Sequence, residues 1–260
     1  SNTQADSVTI IAIPLSGLTE NTDYFFDEDD DSSFPSSHGT NFNDYASVSF
    51  TPTTSGEDWL VIGNPTVRVD STTSNYVYGI RHNTDENPYF SHEGEDLGEN
   101  ATPVLSRVYN LDTSSHTFAL QGKDDETGIN DHSSSRIFAL RLNAMRDYAY
   151  SWSSGRQNHS SGVESQMSSV SLTPTANAKA LLVGYARYDS VEEGDAISAK
   201  LKVGDYEKPS GATGMVNVAR DTTDHRSVVR LGYEDLDAYK THTITSTVNV
   251  ERARSSADLI

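Results

Sequence analysis

Ser134-Ser135-Arg136-Ile137-Phe138-Ala139-Leu140-Arg141-Leu142-Asn143-Ala144-Met145 is the stretch on which the reading of this chain turns. Its echo runs from Ser7 to Leu18, SVTIIAIPLSGL, and without a gap Ile10 falls on Ile137, Ala12 on Ala139, Leu15 on Leu142 and Leu18 on Met145. The phrase starts again at the other end, where Ser256-Ala257-Asp258-Leu259-Ile260 has the form of Ser134-Ser135-Arg136-Ile137-Phe138. Self-similarity at a long fixed spacing marks a repeat architecture. The sequence therefore reads as two turns of a repeat, 1–133 and 134–260, ending where a third would open.

Matched landmarks fill both copies. Val48-Ser49-Phe50-Thr51-Pro52-Thr53 answers Val170-Ser171-Leu172-Thr173-Pro174-Thr175, a period-two strand whose ladder proline ends. Trp59-Leu60-Val61-Ile62-Gly63 answers Ala180-Leu181-Leu182-Val183-Gly184, a fully apolar run expected to be a central strand buried on both faces, with glycine marking a bulge or a close backbone approach. His116-Thr117 and His242-Thr243 each follow a Leu-Asp pair, which predicts a hydrogen bond at a strand start. Helical spacing of apolar residues is absent over any window of twelve or so. Many short strands separated by turn residues predict an all-β chain: two tandem antiparallel β-sandwiches of jelly-roll or Greek-key type.

Composition agrees with that class and narrows the partners. A chain of 260 residues accommodates two domains of about 125, each able to bury its own core. Only 35% of residues are apolar, the composition of sheets with one wet face. Nineteen basic against 38 acidic side chains leave a formal charge of −19, which repels nucleic acid and anionic membranes. The longest apolar runs are too short to cross a bilayer, so no membrane insertion is expected. With no cysteine there is neither a disulfide framework nor a thiolate metal site. Asn100-Ala101-Thr102 and Asn158-His159-Ser160 are glycosylation sequons.

Two acidic clusters place oxygens at alternate positions, as calcium loops do: Asp27, Asp29 and Asp31 early in the first copy, and Asp124, Glu126 and Asp131 before its end. The first departs from the EF-hand pattern, with Ser32 where glycine and His38 where glutamate belong. A solvated loop explains either cluster as well; calcium is the one cofactor the sequence raises. Tyr148, Tyr150 and Trp152 lie two apart, the spacing of a glycan-stacking platform on one strand face and equally of a sandwich interior; Tyr24 and Phe26 do likewise in the first copy. No nucleophile elbow and no phosphate-cradling glycine motif occurs, and no catalytic residue is assigned. The copies share strand pattern and differ in their polar loops, the reverse of what a duplicated catalytic loop would leave.

The phrase His116-Thr117-Phe118-Ala119-Leu120-Gln121, a polar loop, then Ser135-Arg136-Ile137-Phe138-Ala139-Leu140-Arg141-Leu142 resembles the end-and-restart pattern of tandem β-sandwich modules in large secreted fibre or surface proteins and virion structural proteins. That resemblance implies a non-enzymatic scaffold on a cell or virion surface or in an extracellular filament, fibre or surface layer, built from copies of itself joined head to tail or by strand exchange. The alternative is a carbohydrate- or receptor-binding module, with a glycan as partner.

Overall fold

Val48 and Phe50 turn inward while Ser47 and Ser49 face out, a period of two that an extended strand satisfies. The computed structural model describes residues 17–29, 42–69, 75–85, 90–93, 99–101, 104–124, 130–151, 157–159, 164–189, 196–208, 215–218, 225–250 and 257–259. Among them the only helical element is a single 3-10 turn, Leu142–Ala144; the rest is strand and loop.

The first set of strands comprises β1 (Tyr24–Asp29), β2 (Asn43–Phe50), β3 (Glu57–Val69), β4 (Asn75–His82), β5 (Phe90–Glu93), β6 (Glu99–Ala101), β7 (Leu105–Leu111), β8 (His116–Asp124) and β9 (Asn130–Arg141). One sheet has the order β1-β9-β3, with β7 and then β6 along the far side of β3; the other has the order β2-β8-β4-β5. The second set comprises β10 (Gln157–His159), β11 (Ser165–Leu172), β12 (Ala178–Asp189), β13 (Ala196–Val203), β14 (Tyr206–Lys208), β15 (Met215–Val218), β16 (His225–Leu236), β17 (His242–Val250) and β18 (Ala257–Leu259). Its sheets repeat the plan: β10-β18-β12-β16, and β11-β17-β13 with β14 and β15 on the far side of β13. All these pairings are antiparallel, and each sheet interleaves early and late strands, which is the jelly-roll order.

This order corrects the phase of the repeat. The stretch expected to open a second unit at residue 134 lies in β9, inserted between β1 and β3: Tyr24 pairs with Leu140, and Leu60 pairs with the same Leu140 from the other side. It closes the first roll. Ala257–Leu259 likewise pairs with β10 and β12 of its own chain, so the carboxyl end is the closing strand of the second roll and not the start of a third. Residues 7–16, the other copy of the phrase, lie outside the described residues.

Aromatic packing between the sheets builds the first core. Phe50 sits 4.1 Å from Trp59 and 4.7 Å from Phe25 between ring centroids, and Trp59 is only 1% exposed. Val61, Phe118, Leu120 and Ile137 are wholly buried around them. Gly63 faces inward there, and a Cβ on it would lie 3.0 Å from a Leu120 methyl; the same atom on Gly184 would lie 2.7 Å from Leu201. Close approach of the opposite sheet, not a bulge, is why both copies end this run in glycine.

The outward face of the same strand departs from expectation. Leu60 and Ile62 are half-buried, but Leu181 and Val183 are 38% and 40% exposed, so β12 is central yet covered on one face only. β1 divides its aromatics similarly. Phe25 enters the core, whereas Tyr24 faces outward toward Phe138 and Phe26 is half exposed.

Candidate functional site

After Arg141 the chain leaves β9 through the turn Leu142–Ala144 and continues through bends at 145–147 into irregular chain at 148–151. Asp58, near the start of β3, faces outward beside Asn110 of β7, its register partner. The amide of Asn110 donates to Asp58 Oδ1 at 2.8 Å. The hydroxyl of Tyr148 donates to Oδ2 at 2.9 Å and that of Tyr150 to Oδ1 at 3.1 Å, while the Asp58 backbone N–H donates to Asn143 Oδ1 at 2.6 Å. One carboxylate thus collects three side-chain donors, two of them from the segment between the rolls. Burial, and then the Asp58 carboxylate, pushes the Tyr148 phenol up to about 12 and raises that of Tyr150.

The neighbouring residues of the segment bond the other way. Asp147 accepts the backbone N–H of Thr175 at 3.3 Å and its hydroxyl at 3.0 Å, and the Ser168 hydroxyl donates to Ser151 at 2.8 Å. Burial alone would raise the Asp147 carboxyl, but hydrogen bonds from Arg146 and Thr175 outweigh it and hold the group low. Asn143, Tyr148 and Tyr150 therefore bond to the first roll, and Asp147 and Ser151 to the second. Tyr148 and Tyr150, read from the sequence as one face of a strand, lie in irregular chain outside any sheet; their hydroxyls are fastenings and their rings are half-buried or exposed. Trp152 lies outside the described residues.

Of the predicted calcium ligands, the structure describes the backbone of four, Asp27, Asp29, Asp124 and Asp131. Asp27 sits on β1, where Oδ2 accepts the backbone N–H of Ser47 at 2.7 Å; Ser47 lies on β2, which among the described residues pairs with β8 alone. Asp29 ends the same strand, Asp124 ends β8, and Asp131 pairs with Arg68 on β3. Asp31 and Glu126 lie outside the described residues. Among the described residues no group of three acidic or imidazole side chains could hold a metal. The strand continues through Asp27 to Asp29, so the acidic loop begins later than its composition predicts.

Both predicted strand-start histidines hydrogen-bond as expected: His116 Nε2 lies 3.2 Å from the carbonyl of Asp112, and His242 Nε2 lies 3.3 Å from that of Asp237. The sequence offered no second histidine near His116, yet His82 at the end of β4 reaches it across the sheet. Near the end of the first roll, a cavity of about 100 Å³ is lined by Phe25, Trp59, Glu57 and Arg141. Its carboxylate is already in use: Glu57 accepts the Thr53 hydroxyl, the Thr54 N–H and the Trp59 indole N–H at 2.9, 3.1 and 3.3 Å.

No family model matches the chain, and no curated protein does. Among solved structures, dimeric latent PorU from Porphyromonas gingivalis aligns over 90% of this chain and 21% of its own, at 11% identity and a TM-score of 0.32. The tandem CBM22-1-CBM22-2 domain of Paenibacillus barcinonensis Xyn10C aligns over 91% and 89%, at 8% identity and a TM-score of 0.23. This chain thus spans about a fifth of the PorU chain. Likenesses this distant carry no argument about activity.

Asp58, Asn110 and Asn143 were not legible as functional residues. Their only sequence signal is a polar residue preceding the apolar run of β3, which the second copy replaces with Lys179.

Proposed function

We propose that this chain is a non-enzymatic structural module of an extracellular assembly, a filament, fibre or surface layer, in which jelly rolls are strung in tandem and copies of the chain associate. The observation that supports it is the joint: Tyr148 and Tyr150 hold the connecting segment to Asp58 of the first roll, and Asp147 and Ser151 hold it to Thr175 and Ser168 of the second. Domains joined by a loose linker move independently by default. Hydrogen bonding to both neighbours within a few residues is the feature of a connector that fixes spacing. The charge of −19 suits a protein displayed in water at high local concentration. Strand exchange through the carboxyl end is not part of this proposal, because Ala257–Leu259 already pairs within its own roll.

Sedimentation across a wide concentration range, with electron microscopy of the associated species, tests the reading. Particles joined end to end at a uniform spacing are expected; compact monomers at every concentration would overturn it. Binding to a glycan array that disappears in a folded Tyr150→Ala variant would put the carbohydrate-binding alternative in its place.

A further inference from the structure

His116 starts β8 almost wholly buried, at 5% exposure. Its Nε2 lies 3.2 Å from both the carbonyl and the Oδ1 of Asp112, with the Ser114 hydroxyl at 3.4 Å. A carbonyl and a carboxylate only accept, so Nε2 carries the proton and, in the neutral ring, Nδ1 is the acceptor. That acceptor lies 2.9 Å from Nε2 of His82, which must donate. His82 in turn stacks on Phe118, 4.5 Å between centroids at 8°, and lies 5.3 Å from the Tyr109 ring.

We propose that this Asp112–His116–His82 relay is an acid-sensitive fastening in the first roll, one that the second roll lacks. Two imidazoles sharing one hydrogen bond hold a single proton between the facing nitrogens. A first added proton is accommodated on either ring with the bond reversed or kept; a second sets N–H against N–H and two positive charges side by side. The unfolded chain has no such limit and takes up a proton on each ring below about pH 6.5. The other groups acting on His82 are Asp85 in the following turn, Arg107 and Tyr109 on β7, and Asp112. Burial first, then His116 and Arg107, disfavour the charged ring, against the opposing pull of Asp85 and Asp112.

A histidine whose folded form resists protonation makes the unfolded state bind more protons as pH falls, so stability drops below about pH 6.5. For one proton withheld, the folding equilibrium constant falls by up to about tenfold per pH unit. The second roll is an internal control. Val203 pairs with Ile244 as His82 pairs with Phe118, so the position facing His242 holds no imidazole.

The test is urea unfolding of the full chain in a Trp152→Phe background, where Trp59 reports on the first roll. The midpoint is expected to fall steadily from pH 7 to pH 5, and His82→Val, the residue natural to the second roll, is expected to remove most of that fall. An unchanged wild-type midpoint, or a His82→Val variant with the same dependence, would overturn the proposal. Should that variant not fold, NMR titration of the wild type decides: the His82 ring is expected to titrate below its ordinary value near 6.5. Titration of His82 at or above about pH 6.5 would equally overturn it.

Discussion

The Tyr148 hydroxyl lies 2.9 Å from Oδ2 of Asp58, and these residues are ninety positions apart, on opposite sides of the boundary between roll and connector. Because that phenol is pushed up to about 12, it stays neutral and donating through physiological pH. A raised folded value means this stabilisation is complete below about pH 10 and is lost as pH climbs from there toward 12. Tyr148→Phe is expected to remove this alkaline limb from the pH–stability curve and to cost about 1 kcal/mol near neutrality, the worth of a hydrogen bond to a charged group at a partly wet site. Asp58→Ala removes the acceptor for three side chains at once. Small-angle scattering should then report a broader distribution of overall dimensions, and limited proteolysis should cut faster within 142–151.

Glu57 is buried with three donors converging on its carboxylate. Glu57→Ala leaves the Thr54 N–H and the Trp59 indole without an acceptor and is expected to cost about 2–3 kcal/mol in urea unfolding. Glu57→Gln retains an acceptor and should lose about half as much.

Gly184→Ala is expected to destabilise the second roll by about 1–2 kcal/mol, because the new methyl meets the buried Leu201 side chain at 2.7 Å. Gly63→Ala, whose methyl would meet Leu120 at 3.0 Å and Ile80 at 3.2 Å, should be milder. Thermal unfolding of the two variants checks the order.

Asp27 accepts the N–H of Ser47 on β2, an edge strand among the described residues, and such donors are the groups through which sheets of different chains pair. Asp27→Ala is expected to lower stability by about 1 kcal/mol and raise self-association in light scattering. Asp27→Asn keeps an acceptor and should behave as wild type, and chelation of calcium should change neither result.

Part of this was legible in the residues themselves. Period-two alternation around Val48 and Val170, the apolar runs ending at Gly63 and Gly184, and the paired His-Thr strand starts identify two all-β units, because side-chain alternation is a local property that sequence displays directly. The phase of the repeat was not legible. Spacing says that SSRIFALRLNAM recurs, but whether a strand opens one unit or closes another depends on which distant backbone donors it meets, and here those lie on β1 and β3. The same holds for the sites. Asp58 and Tyr148, or His82 and His116, are unrelated polar residues along the chain, and only strand register and the path of the connector bring them within hydrogen-bonding distance. Sequence determined the units and their cores, since burial patterns are written residue by residue. Tertiary structure decided where each unit ends and which side chains fasten it to the next, since those contacts are non-local.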